Sequence, residues 1–178
     1  MPGWSALVGD FNGDGTSDLL WDNCPAGMLG TWLMKDGQIA QTFALHHDMP
    51  GWTALVGDFN GDGTSDLLWN NGAAGTLGTW LMKDGQIAQT VALNHDMPGW
   101  SVAAIGDFNH DGTSDIMWRN EAGATSVWMM KDGQIAGTVG TGPSAGWTPG
   151  PQGDFDHNGA GDLIWHDANG TVAAWLFS

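Results

Sequence analysis

The feature that most limits what this chain can fold into is a recurrence. The segment DFNGDGTSDLLW at residues 10–21 returns as DFNGDGTSDLLW from Asp58, as DFNHDGTSDIMW from Asp107 and as DFDHNGAGDLIW from Asp154. The leading aspartates are 48, 49 and 47 residues apart. A fixed period of this size is the length of one propeller blade, a unit that buries its faces only against neighbouring copies of itself. The chain therefore divides into repeats 1–48, 49–96, 97–145 and 146–178. The first two differ only at Ser5, Asp22, Cys24, Pro25, Met28, Phe43 and His46, so a residue shared by both reflects copying as much as selection.

Each full repeat reads as four strands. ALVGDF from Ala6 runs into the acidic loop, DLLW from Asp18 is the second, TWLM from Thr31 the third and IAQTFAL from Ile39 the fourth. Apolar residues at consecutive positions in DLLW and TWLM predict sheets buried on both faces. The KDGQ segments at Lys35, Lys83 and Lys131 place Asp-Gly where a two-residue hairpin needs positive φ, so Asp36, Asp84 and Asp132 read as turn residues. No window carries a 3.6-residue apolar period, and almost no helix is predicted. The expected fold class is all-β, a propeller of four blades, the last lacking its outer strand because nothing after VAAWLF corresponds to IAQTFAL. The first strand begins a few residues after Met1, which leaves no amino-terminal strand to clasp a ring. An edge then stays open unless another chain covers it.

Composition excludes several classes of partner. Twenty acidic residues against four Lys and Arg, a formal charge of −16, argue against nucleic acid and anionic membranes. No apolar run reaches spanning length, and no basic segment leads into an apolar one at the amino terminus, so an export signal would lie outside this sequence. Cys24 is the sole cysteine, which rules out a disulfide framework or a thiolate metal site within one chain. Twelve Trp, no Tyr and 29 Gly suggest short strands, tight turns and large flat side chains between layers.

In the first loop the side chains at positions one, three, five and nine are Asp10, Asn12, Asp14 and Asp18, and the Thr16 carbonyl at position seven offers a further oxygen. Alternating oxygen-bearing side chains on a turned backbone can converge on one point, with Gly15 permitting the turn. Hard oxygen ligands without His or Cys point to Ca²⁺. The second loop offers Asp58, Asn60, Asp62, Thr64 and Asp66, the third Asp107, Asn109, Asp111, Thr113 and Asp115, and the fourth Asp154, Asp156, Asn158, Ala160 and Asp162. Aspartate and asparagine trade places in the fourth, yet every loop keeps three carboxylates and one amide. One Ca²⁺ per repeat, four per chain, would bring the formal charge from −16 to about −8. A helix-loop-helix calcium hand needs Glu at position twelve, where Trp21, Trp69, Trp118 and Trp165 stand instead. Equal repeated copies also argue against catalysis, which needs dissimilar groups with separated pKa values.

The combination of GDFNGDGxxDLLW, a GxxxTWLM strand and a DG turn, present in nearly the whole chain, resembles the FG-GAP or VCBS repeat family. The resemblance implies a β-propeller with Ca²⁺ in the hairpin loop between the first two strands of each blade, as in integrin α chains and fungal lectins. It further implies an extracellular recognition scaffold, some relatives of which bind sugars between neighbouring blades. Such propellers commonly have seven blades, and four repeats depart from that.

Three tryptophans recur per repeat. Trp21, Trp69, Trp118 and Trp165 follow the loop, and Trp32, Trp80, Trp128 and Trp175 lie on the third strand; both groups read as core. Trp4, Trp52, Trp100 and Trp147 open each inter-blade segment, where an aromatic face also suits a sugar. His47 and His95 precede two of these and are candidates for hydrogen bonding to a glycan, with surface linker chemistry as the plainer reading. The leading expectation is a non-enzymatic, calcium-stabilised recognition module of lectin or adhesion type, secreted, taking a glycan or protein ligand at repeated inter-blade sites. The alternative is a self-assembling repeat scaffold without a dedicated ligand. No nucleophile elbow or metalloprotease helix is present to favour an enzyme. The unclasped ends predict association of two chains into an eight-bladed ring, against a closed four-bladed monomer.

Overall fold

The computed structural model describes residues 3–23, 26–45, 51–72, 74–93, 98–143 and 145–178. These residues form fifteen strands in four antiparallel meanders and no α-helix. The first blade is β1 (Ser5–Gly9), β2 (Asp18–Asn23), β3 (Met28–Lys35) and β4 (Gln38–Ala44). The second is β5 (Thr53–Gly57), β6 (Asp66–Asn71), β7 (Thr76–Lys83) and β8 (Gln86–Leu93). The third is β9 (Trp100–Gly106), β10 (Asp115–Asn120), β11 (Ala124–Lys131) and β12 (Gln134–Pro143). The fourth has three strands, β13 (Trp147–Gly153), β14 (Asp162–Asp167) and β15 (Val172–Trp175). The fold is a four-bladed β-propeller whose last blade lacks an outer strand.

Local chemistry accounts for the strand boundaries. Asp36, Asp84 and Asp132 have φ of 51°, 50° and 50°, and the glycines after them 73°, 75° and 73°. Two successive positive φ values make the tight turn whose twist matches its flanking strands, closing Lys35 onto Gln38, Lys83 onto Gln86 and Lys131 onto Gln134. The first strand stops at Gly9, so Asp10 and Phe11 belong to the loop rather than to the strand the sequence pattern suggested. Pro149 and Pro151 lie on β13, at the edge of its sheet, where a missing N–H is tolerated.

The hydrophobic core lies between blades. Side chains alternate along a strand, so Leu67 and Trp69 of β6 face the first blade while Leu68 faces the third. The cluster between the first and second blades holds Phe11, Leu20, Leu33, Trp69 and Trp80. Its successor holds Phe59, Leu68, Leu81, Trp118 and Trp128, and the last holds Phe108, Met117, Val127 and Trp165. Within each blade the loop-following and third-strand rings tilt against each other with centroids 4.6–5.1 Å apart, an arrangement favoured by the ring quadrupoles. Trp69, Trp80, Trp118, Trp128 and Trp165 are core residues and Trp175 packs against the core, whereas Trp21 and Trp32 of the first blade are half-buried and belong to none of these clusters. Among the described residues no core cluster joins the fourth blade to the first.

Backbone bonds repeat at each junction. The Ser65 N–H donates to the Asp10 carbonyl at 2.6 Å, and the Asp10 N–H donates to Ser65 Oγ at 2.9 Å. Ser114 and Asp58 make the same pair at 2.6 and 3.0 Å. At the last junction Gly161, which has no hydroxyl, keeps only the N–H bond to the Asp107 carbonyl, at 2.5 Å. Gly85 and Gly133 donate to the carbonyls of Phe11 and Phe59 at 2.8 and 2.9 Å. Only glycine fits there. A Cβ on Gly85 would lie 2.9 Å from Leu33 and 3.0 Å from Phe43, and one on Gly133 would lie 2.9 Å from Leu81.

Candidate metal loops and inter-blade clefts

Each acidic loop is wound around its first aspartate. Asp10 Oδ1 accepts the N–H groups of Gly13 and Asp14 at 2.7 and 3.1 Å, and Oδ2 accepts that of Gly15 at 2.7 Å. Asn12 Oδ1 accepts the Asp14 N–H at 3.0 Å, and Asp14 Oδ1 accepts that of Thr16 at 2.8 Å. Asp58, Asn60, Asp62 and Thr64 repeat these bonds, and in the third loop Asp107 accepts from Asp111 and Gly112, Asn109 from Asp111, and Asp111 from Thr113. In the fourth loop Asp154 and Asp156 accept the Asn158 N–H, and Asn158 accepts that of Ala160. His110 and His157 occupy the position of Gly13 and Gly61, with φ of 56° and 60°.

The ninth residue differs from the others. Asp18, Asp66, Asp115 and Asp162 are fully buried, and each accepts one N–H from the start of its loop and one from the third strand of its blade or, for Asp162, from Phe177 two residues beyond it. Burial pushes the Asp66 carboxyl up to about 7 and the Asp115 carboxyl up to about 6, against the lowering effect of those bonds; Asp18 is raised for the same reason. Repulsion from Asp58 and Asp62 adds to the rise at Asp66. Exposed Asp14 is lowered instead, chiefly by the Thr16 N–H.

These residues fit a hard divalent cation. The carboxylate oxygens of Asp154, Asp156 and Asp162 lie within 4.8 Å of one another, one of them fully buried. Burial disfavours the ionised forms of Asp18, Asp66 and Asp115, and a cation would stabilise them. Asp10, Asn12, Asp14 and Asp18, with their counterparts in the later loops, would hold such an ion, which would supply positive charge to converging oxygens.

The tryptophans that open the blades are half-buried. Trp52, Trp100 and Trp147 pack against the first, second and third core clusters in turn. Trp4 lines a cavity of about 430 Å³ with Trp21, Trp32 and Met28. His47, His95 and Cys24 lie outside the described residues.

A second cleft, not foreseen from the sequence, opens at the other end of the third strand beside the acidic loop. Its volume is about 490 Å³, and it is lined by Asn12, Asp14, Leu33, Gln41 and Phe43 of the first blade and by Asp84 and Gln86 of the second. Asp84 reads from the sequence only as a turn residue, and the signal for the cleft is the identical recurrence of Gln41 as Gln89 and of Gln86 as Gln134.

Repeated acidic loops on stacked four-stranded blades define a repeat β-propeller. Residues 58–118 match the FG-GAP-like repeat family, and residues 2–27 match the FG-GAP repeat. The chain carries FG-GAP repeats and folds as a β-propeller. No curated protein matches it. Among solved structures it is similar to one describing specific recognition of non-reducing terminal N-acetylglucosamine by an Agrocybe aegerita lectin, at 16% identity and a TM-score of 0.71, over 96% of this chain and 51% of that one. It is also similar to the V. cholerae biofilm matrix protein Bap1, at 17% identity and a TM-score of 0.39, over 100% of this chain and 31% of that one. The chain thus spans about half the length of the lectin and less of the second protein. Among the described residues no helix is long and apolar enough to cross a membrane.

Proposed function

We propose that the chain is a calcium-stabilised, non-enzymatic carbohydrate-binding module that works outside the cell. The observation that carries this reading is the cleft between the first two blades. Amide and carboxylate groups from Asn12, Asp14, Gln41, Asp84 and Gln86 surround an apolar floor of Leu33 and Phe43. A sugar ring needs this pairing, with planar hydrogen-bonding groups for its hydroxyls and an apolar surface for its C–H face. The cleft residues recur between the second and third blades as Asn60, Asp62, Leu81, Gln89, Val91, Asp132 and Gln134, so weak sites would add by avidity. Half-buried Trp52 and Trp100 supply a further aromatic surface at the opposite end of each junction. Asn12 and Asp14 belong to both loop and cleft, which makes the ligand site dependent on the ion.

A glycan array probed in millimolar Ca²⁺, followed by calorimetry with the best binder, is the test. Binding that is lost with chelator and weakened by Gln41→Ala supports the reading. Silence on all sugars from folded, calcium-loaded protein would leave the scaffold reading in its place.

A further inference from the structure

The two end faces of the propeller carry the same residues that the internal junctions bury. On the fourth blade, Phe155 is 49% exposed, whereas its counterparts Phe11, Phe59 and Phe108 are at most 1% exposed. Leu176 is 57% exposed against 6% and 7% for Leu33 and Leu81. On the first blade, Val8 is 61% exposed, while its counterparts Val56 and Ile105 pack into the first and second clusters. Ile39 is likewise exposed where Ile87 and Ile135 pack against core. Gly37 is exposed with nothing within 4 Å of an added Cβ, whereas Gly85 and Gly133 are buried under Leu33 and Leu81. One end thus presents the leading half of a blade junction, and the other presents the trailing half.

We propose that the exposed face of the first blade docks on the exposed face of the fourth blade of a second copy, and that two such junctions close an eight-bladed ring. The contact is head to tail. It repeats the internal pattern: the Ser17 N–H donates to the Asp154 carbonyl, the Asp154 N–H donates to Ser17 Oγ, the Gly37 N–H donates to the Phe155 carbonyl, and Leu176 covers Gly37. Ser17 restores the hydroxyl that Gly161 lacks at the preceding junction. Acidic loops meet across this contact, as they already do at the internal junctions, where calcium would offset them. Continuity of the residue pattern selects the occupant, because the surface complementary to each end is the other end of the same chain. A rotation that closes gives a ring, and one that does not gives a filament. The inference is independent of whether the clefts take sugar.

The experiment is sedimentation and native mass spectrometry of the 178-residue chain in calcium, with Val8→Asp and Leu176→Asp as variants. Both positions are more than half exposed, so the substitutions should leave the chain folded, and tryptophan fluorescence and melting check this. The expected result is twice the chain mass at low micromolar concentration and the single chain mass for either variant. Mixing the two variants should restore a two-chain species, because one intact face remains on each. A monomeric parent chain would overturn the proposal. So would a mass above two chains, or a dimer broken by only one substitution, which would mean that like faces pair.

Discussion

Asp66 accepts the backbone N–H of Met82 at 2.8 Å through a carboxylate with no exposed surface, and its other oxygen accepts the Phe59 N–H at 3.0 Å. One buried group therefore fixes the start of the acidic loop to the third strand of the blade. Asp66→Ala should destabilise the protein by about 2–4 kcal/mol, since it strands two buried N–H donors. Asp62→Ala, at an exposed loop position, should cost the ion's contribution in calcium and little in chelator. Urea denaturation in calcium and in chelator measures both, and equal losses for the two variants in chelator would contradict the assignment.

Calcium removal should lower the melting temperature. Each empty loop leaves three carboxylates in one turn, and an ion that binds only the folded state at about 100 times its dissociation constant contributes about 2.7 kcal/mol per site. Extracellular calcium modules bind in roughly the 10⁻⁴–10⁻³ M range, so calorimetry should show the midpoint climbing through millimolar Ca²⁺. A midpoint indifferent to chelator would remove the metal from the account.

The pH response of the chelated protein has a defined sign. Asp66 and Asp115 titrate near 7 and 6 in the folded chain, above the ordinary value of 3.8, so the folded state binds more protons than the unfolded state between those values. Stability is then fully present at low pH and declines as pH rises through the folded values. Metal-free protein should melt higher at about pH 5 than at about pH 7.5, and saturating calcium, which holds the carboxylates ionised, should weaken or reverse that order. Melting curves at the two pH values with and without chelator decide it.

Gly85→Ala and Gly37→Ala separate turn strain from packing within one chain. Both glycines have positive φ, at 75° and 73°, so both substitutions carry about 1–2 kcal/mol of strain. At Gly85 the new methyl also meets Leu33 and Phe43, adding about 1–3 kcal/mol. The difference between the two should persist at protein concentrations low enough to keep the chain monomeric, as read by chemical denaturation.

Much of the blade was legible from short-range pattern. The Asp-Gly hairpins at Asp36, Asp84 and Asp132 follow from local φ preference, and the two-sided burial of Leu67 and Leu68 follows from consecutive apolar residues. The loop chemistry was legible because its oxygens lie within nine residues of one another. Less accessible was anything formed between blades. Gln41 and Asp84 meet in one cleft although they are distant in sequence and look like an ordinary strand residue and an ordinary turn residue. Leu19 and Leu67 occupy the same place in identical motifs, yet only Leu67 is fully buried, because a preceding blade stands against it.

The exchange between each loop's leading aspartate and the serine of the next blade has a mechanical consequence. Asp10 with Ser65 and Asp58 with Ser114 form paired links between successive blades, whereas Asp107 with Gly161 is a single link. Under a pull applied along the row of loops, the doubly linked seams would share the load and the third seam would part first. A stretched molecule would therefore shed its last blade before the other three separate.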